Sequence, residues 1–265
     1  MGIIIMVFST ASSVGKTLLS INMAAELAKS GHKVCVVDFD LQFGDVCNYL
    51  QLKPQKTVYD AQLAIQHDLN EYVITDYTTP YQYEDVSFSV LAAPLKLDEA
   101  YNVSAQAAAA VVSRLRSEYD YLVLDTTAAF SELNLALMDL STIITFVGIV
   151  DFIPTIKNMK VGYDTMRGIG YDQNKIRFVL NRSKSKTNIE LEDVEQLLEE
   201  PFYHVLPNDF TAAGQSIHKG VPLVLDGQNA LAGGLKELVA KYTNRLQESS
   251  KGKASFSSLV KRFFK

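Results

Sequence analysis

Lys16 and Thr17 directly follow Gly15, and this trio is the part of the chain best suited to handle a phosphorylated ligand. In the stretch from Ile3 to Thr17, IIIMVFSTASSVGKT, an apolar run is followed by small polar residues and then Gly15-Lys16-Thr17. A lysine at this point neutralises the outer phosphates of a nucleotide, and the threonine hydroxyl binds Mg²⁺. The backbone amides of Ala11, Ser12, Ser13, Val14 and Gly15, with the helix start through Leu18, would face the phosphates. Three acids complete the set. Asp125 closes the apolar segment YLVLD, and Asp38 and Asp40 close KVCVVDFD. An acid in the position of Asp125 orients magnesium or its waters. Of Asp38 and Asp40, one would touch the magnesium shell and the other would help position a water. Either could instead be a helix N-cap or a loop acid.

The elements that must carry these residues can be read from hydropathy. Ile3 to Phe8 is a continuous apolar run, the mark of a strand buried on both faces. Leu18 to Lys29 has helical character. Lys33 to Asp40, Val86 to Ala93, Tyr121 to Asp125, Thr142 to Val150, Ile176 to Leu180 and Tyr203 to Leu206 read as further strands. Between them lie helical stretches at Ala100 to Tyr119, Ser131 to Asp139, Pro154 to Ile169, Glu190 to Glu199 and Gly234 to Leu246, with a mixed helical segment from Leu41 to Leu69. The tyrosine-rich segment Tyr72 to Asp85 is expected to be irregular. This alternation predicts an α/β fold, doubly wound, with a mostly parallel sheet and helices on both faces. Ligands of such sheets sit beyond the carboxyl ends of the strands. The GKT loop, Asp38, Asp40 and Asp125 all fall there.

At 265 residues, one α/β domain can bury a substantial core. Cys35 and Cys47 do not make a disulfide framework, and the four histidines show no metal-ligand spacing. No apolar run reaches the roughly 20 residues needed to span a bilayer. The opening apolar run has no basic region before it, so it does not read as a signal peptide. The formal charge of −5 is uneven. Residues 251–265 hold five basic residues and no acidic ones; without them, 20 basic face 30 acidic residues, a net −10. An acidic body speaks against a broad nucleic-acid surface, and the basic end points to an anionic contact.

These residues resemble the MinD/ParA group of P-loop ATPases, whose loop reads K-G-G-x-G-K-T. Within that group the chain is most similar to the CpaE/TadZ proteins of type IV (tight-adherence, Tad) pilus assembly. The similar segments are DFDLQFGD (Asp38–Asp45), LAAP (Leu91–Pro94), YDYLVLD (Tyr119–Asp125), LNR (Leu180–Arg182), LPND (Leu206–Asp209) and KGVP (Lys219–Pro222). The resemblance covers about residues 2–246. It implies ATP and Mg²⁺ as ligands, a nucleotide-dependent homodimer, and Asn181 reading the adenine edge with Arg182 nearby. It further implies that Pro207 and Asn208 begin a loop packed on the base. CpaE-type proteins often carry a receiver-like domain ahead of this one, and no such segment is present in this sequence.

The loop departs from the family pattern. Ala11 stands where the family has the lysine that reaches the partner subunit's phosphates. Ser12 and Ser13 replace its glycines, Leu18 replaces the usual hydroxyl residue after GKT, and Thr10 stands where the general P-loop pattern has glycine. A missing cationic finger elsewhere lowers phosphoryl transfer by ~10³–10⁵. The expectation is therefore ATP binding, with Lys16 and Asp40 as the catalytic pair and slow or absent hydrolysis.

Three segments are expected: an ATPase domain over 1–246, a linker over 247–255, and an amphipathic helix over 256–265. On a helix, Phe256, Leu259, Val260, Phe263 and Phe264 fall within an arc of roughly 140°, with Lys261, Arg262 and Lys265 opposite. Such a helix suits an anionic membrane surface, and a pair of them on a dimer would hold far better than one. It is similar to the membrane-targeting helix of MinD; packing on the protein, docking on a partner, or a disordered end remain open. The expected role is a switch on the cytoplasmic face of the cell membrane that localises pilus machinery. A regulator of division or flagellar placement (MinD- or FlhG-like) and a pseudo-ATPase dimerisation scaffold are the alternatives.

Overall fold

The structure is a computed structural model and describes residues 1–66, 73–151, 153–183 and 189–244. Eight strands form one sheet: β1 (Ile3–Phe8), β2 (Val34–Asp38), β3 (Thr79–Tyr83), β4 (Val86–Leu91), β5 (Tyr121–Asp125), β6 (Ile143–Gly148), β7 (Ile176–Ser183) and β8 (His204–Pro207). Their spatial order is β3-β4-β2-β5-β1-β6-β7-β8, and every neighbouring pair except β3 with β4 is parallel. Eleven α-helical segments occur among the described residues. They are α1 (Lys16–Lys29), α2 (Val46–Tyr49), α3 (Val58–Gln66), α4 (Leu97–Tyr101), α5 (Ala105–Glu118), α6 (Glu132–Leu140), α7 (Ile153–Ile169), α8 (Leu191–Leu198), α9 (Phe210–Lys219), α10 (Leu223–Asp226) and α11 (Ala230–Tyr242).

Side-chain alternation along the strands builds two cores. Ile4, Met6 and Phe8 of β1 point into one layer with Cys35, Val37, Leu122 and Leu124, under α3, α5, α6, α7 and α8. Ile5 and Val7 point into the other with Val34, Val36, Tyr121 and Val123, under α1, α10 and α11. A strand covered on both faces cannot alternate polar with apolar residues, which is why β1, β2 and β5 read as unbroken apolar runs. Four helix starts are capped by side chains: Ser104, Ser131, Asp209 and Asn229 accept from the Ala107, Asn134, Ala212 and Ala232 amides.

The doubly wound, mostly parallel α/β architecture expected from the sequence is present, with three local corrections. The segment expected to be irregular contains β3, an antiparallel edge strand. It hides because Pro80, Gln82 and Thr79 face solvent or rim, while the buried Tyr81 carries the packing against Phe88 and donates its hydroxyl to the Gly220 carbonyl at 3.0 Å. The β3–β4 turn, Glu84-Asp85, lacks the glycine that usually marks a hairpin; Glu84 itself takes φ 50°. Among the described residues of the mixed segment from Leu41 to Leu69, helix is confined to the short α2 and to α3. Finally, the loop expected to begin at Pro207 and Asn208 is short: Asp209 caps α9, a helix the sequence reading does not include. The stretch 245–265, with the expected linker and the membrane residues Phe256, Leu259, Val260, Phe263 and Phe264, lies outside the described residues.

Candidate functional site

The site is built from the carboxyl ends of β1, β2, β5 and β7. β1 delivers the chain into the loop of residues 9–15, and α1 carries Lys16 and Thr17 away from it. Gly15, at φ 95° and ψ 26°, makes the sharp entry into α1. A Cβ there would lie 2.5 Å from the Asn181 Nδ2, so the position requires glycine for both conformation and space. Ser13 also takes a left-handed conformation, φ 57°, at a position where the family pattern has glycine. Among the described residues, the amides of Ser12, Ser13, Val14 and Gly15 donate to no acceptor. They are joined there by the orphan amides of the first turn of α1.

The Thr17 hydroxyl donates to Asp125 Oδ2 at 2.7 Å, and the Ser20 hydroxyl to Asp125 Oδ1 at 3.0 Å. Having given its proton to Asp125, the Thr17 oxygen keeps its lone pairs for a cation. Sequence reasoning missed Ser20; it lies one turn after Lys16, where a hydroxyl on the sheet-facing side of α1 reaches a strand-end acid. Asp38 and Asp125 are register partners on the adjacent strands β2 and β5, about 5 Å apart at the backbone, and both are buried. Both also point toward the α1 face, since they continue the alternation of Val34, Val36, Tyr121 and Val123. Burial, and then the neighbouring Asp125 charge, push the Asp38 carboxyl well above the usual range. Burial likewise pushes Asp125 up to about 6, against the pull of Thr17, Ser20 and Lys16. Lys16 is lowered by burial, while Asp125 and Asp40 hold its charge. Two crowded carboxylates beside an electron-pair-rich hydroxyl fit a divalent cation, whose charge would relieve their repulsion.

Asp38 has a second task. Its Oδ1 accepts the Asp40 amide and its Oδ2 the Val46 amide, each at 3.1 Å, so it shapes the loop that carries Asp40. Gly44 fits beneath it: a Cβ there would lie 2.5 Å from Asp38 Oδ2. Asp40 is half-buried, accepts the Phe43 amide at 3.3 Å and faces Lys16 electrostatically. A cleft of about 710 Å³ opens beside Asp38, lined by Gly44, Cys47, Asn48, Pro54 and Pro94, and no residue of the phosphate loop lines it.

On the other side of the loop, Asn181 is buried at the end of β7. Its Nδ2 donates to the Val14 carbonyl at 2.8 Å and its Oδ1 accepts the Arg182 amide at 2.9 Å. One N–H and one lone pair of that amide remain for another partner. The Arg182 Nη2 donates to the Ser13 carbonyl at 2.6 Å, and its guanidinium stacks 4.7 Å from the Phe210 ring centroid. Pro207 pairs with Ser183, and the Asn208 amide donates to the Ser183 carbonyl at 3.1 Å, so both sit next to the Asn181–Arg182 corner. Ala11 and Leu18 are packed against the α1-side core. Thr10 shows how the chain tolerates losing a glycine: α7 contributes Gly162, where a Cβ would collide with the Thr10 methyl. The Thr10 hydroxyl is buried with no partner among the described residues.

Among the described residues no group of three or more His, Cys, Asp or Glu side chains, Asp38, Asp40 and Asp125 included, is arranged to hold a metal ion by itself, and no helix is long and apolar enough to cross a membrane. A parallel sheet whose central strand feeds a glycine-lysine-threonine loop, with a strand-end acid bonded to the threonine, defines a P-loop nucleotide-binding protein. Over residues 5–219 the chain matches the CobQ/CobB/MinD/ParA nucleotide binding domain, and it belongs to this MinD/ParA superfamily of P-loop ATPases. It is 26% identical over 241 residues to the septum site-determining protein MinD of Helicobacter pylori, covering 84% of each chain. Among solved structures, a ParA family ATPase from Chlorobium tepidum TLS superposes with a TM-score of 0.81 at 17% identity, over 90% of this chain and 97% of that one. MinD from Pyrococcus horikoshii OT3, solved with Mg-ADP, superposes with a TM-score of 0.78 at 20% identity, over 91% and 96%. These two likenesses speak for the fold.

Proposed function

We propose that the protein is a nucleotide-dependent switch that binds ATP and Mg²⁺, pairs with a second copy, and positions a type IV/Tad pilus assembly machine at the membrane. The observation that carries the nucleotide reading is the Thr17–Asp125 hydrogen bond of 2.7 Å beside Lys16, with the loop amides of Ser12 to Gly15 facing no protein acceptor among the described residues. In this reading Lys16 meets the outer phosphates and Thr17 ligates magnesium, with Asp125 and Asp38 organising its shell. Asp40, the most accessible of the three acids, positions a water. Asn181, with Arg182, Pro207 and Asn208, borders the base. Magnesium supplies charge neutralisation on the phosphates; the side chains supply its orientation.

The pilus assignment rests on the segments DFDLQFGD, LAAP, LNR and LPND, which are similar to CpaE/TadZ proteins. A regulator of MinD type is the second reading. The match to the Helicobacter pylori MinD along 84% of its length favours it. In either reading residues 1–246 form the ATPase domain, 247–255 the linker and 256–265 a peripheral membrane anchor on the cytoplasmic side. The absence of a cation at Ala11 argues for slow or absent turnover. The experiment is a titration with ATP·Mg²⁺ followed by phosphate release. Saturable binding with turnover far below an intact MinD-type enzyme supports the proposal; no binding reduces the protein to a pseudo-ATPase scaffold.

A further inference from the structure

The loop ahead of Lys16 holds Ser13 at φ 57°, a conformation that an L-residue adopts at a disadvantage of roughly five- to thirtyfold in population. Something outside the loop must stabilise it there. Two successive loop carbonyls are tied to the end of β7: Ser13 to the Arg182 guanidinium at 2.6 Å and Val14 to the Asn181 amide at 2.8 Å. Within a planar trans peptide the carbonyl and the following N–H point in opposite directions. Drawing the Ser13 and Val14 carbonyls toward β7 therefore turns the Val14 and Gly15 amides away from β7. Those two amides have no acceptor among the described residues. The arginine is itself braced. Its backbone takes φ 55°, its amide bonds the Asn181 Oδ1 at 2.9 Å, and its guanidinium lies on the Phe210 ring.

We propose that Arg182 is a positioning residue that clamps the serine-bearing loop in its anion-binding shape, doing by a charge-assisted hydrogen bond what glycine at position 13 would do by conformational freedom. Phe210 keeps the guanidinium in place, and Asn181 completes the clamp one carbonyl further on. The affinity part of the inference rests on the nucleotide reading above; the loop-ordering part does not.

The test uses the full chain and two readouts. Dissociation constants are measured with a fluorescent ATP analogue and Mg²⁺, and ¹⁵N relaxation of the Ser12 to Gly15 amides is recorded without nucleotide. Arg182→Ala should weaken binding about tenfold and raise the mobility of the loop amides. Adding Ser13→Gly to Arg182→Ala should recover most of the affinity, because glycine takes the left-handed conformation unaided. Phe210→Ala, the milder variant, should weaken binding about two- to fivefold. If Arg182→Ala leaves the loop amides as rigid as before, or if the glycine restores nothing, the clamp is overturned and the arginine meets the nucleotide directly. If the wild-type chain binds no nucleotide while Arg182→Ala still loosens the loop, the clamp stands and the nucleotide reading falls.

Discussion

Replacing Asp125 by asparagine should make the nucleotide-free protein more stable at neutral pH, although it removes a central site residue. Asp125 is buried, and its carboxyl is pushed from 3.8 to about 6, so the folded chain binds its proton more tightly than the unfolded chain does. A raised carboxyl contributes stability at low pH that is lost as pH climbs through this window. With 1.36 kcal/mol per unit, ionising Asp125 withdraws about 3 kcal/mol between pH ~4 and pH ~7. An asparagine side chain in its place cannot accept from both Thr17 and Ser20, which returns about 1 kcal/mol of that gain. The variant should thus lead by about 2 kcal/mol near pH 7 and lie within about 1 kcal/mol of wild type near pH 4. Asp38, raised by burial and by the Asp125 charge, moves in the same direction, and the pair titrates together. Urea unfolding followed by circular dichroism, in chelator and without nucleotide, gives the difference at each pH. A difference that stays constant from pH ~4 to pH ~7, or a variant that is the less stable at neutral pH, refutes this account of the buried acids.

Gly15→Ala should abolish nucleotide binding and destabilise the fold by about 2 kcal/mol or more, since it adds a Cβ 2.5 Å from Asn181 at φ 95°; calorimetry and a thermal melt check both effects. Ala11→Lys should raise phosphate release by one or more orders of magnitude if the missing cation limits turnover; an unchanged rate places the defect elsewhere in the loop. Thr10→Val should stabilise the nucleotide-free protein by about 1 kcal/mol, because it removes a buried hydroxyl without a partner among the described residues; a lower melting temperature would show that the hydroxyl is satisfied in solution. Deleting 254–265 should abolish co-sedimentation with anionic vesicles while leaving ATP affinity intact; equal sedimentation of both forms ends the anchor proposal.

Much of the fold could be read from the sequence because its driving force is simple. Strands buried on both faces write themselves as apolar runs, and Asp38 and Asp125 stand out as the charges that end two of them. The edge strand β3 did not, because an edge needs only one buried residue in two, and Tyr81 alone among polar neighbours carries no period. Helix α9 was hidden by its position between a short strand and the KGVP turn, where its N-cap, Asp209, read as part of a loop. At the site, residue types gave Lys16, Thr17 and Asp125. They could not give the Asp38–Asp125 register pairing, which depends on β2 and β5 being neighbours although β3 and β4 come between them in the chain. Nor could they give Ser20 or the β7 ties to Ser13 and Val14, since those bonds join segments that only the crossover topology brings together.

The Thr10 methyl occupies the space that a side chain at position 162 would need, across the gap between the loop and α7. Putting glycine back at position 10 alone would not repair a damaged motif; it would open an unfilled hole against Phe130 and Phe146, which also border Gly162. Volume at positions 10 and 162 is thus shared between the loop and α7, a coupling that a pattern read along either segment by itself does not record.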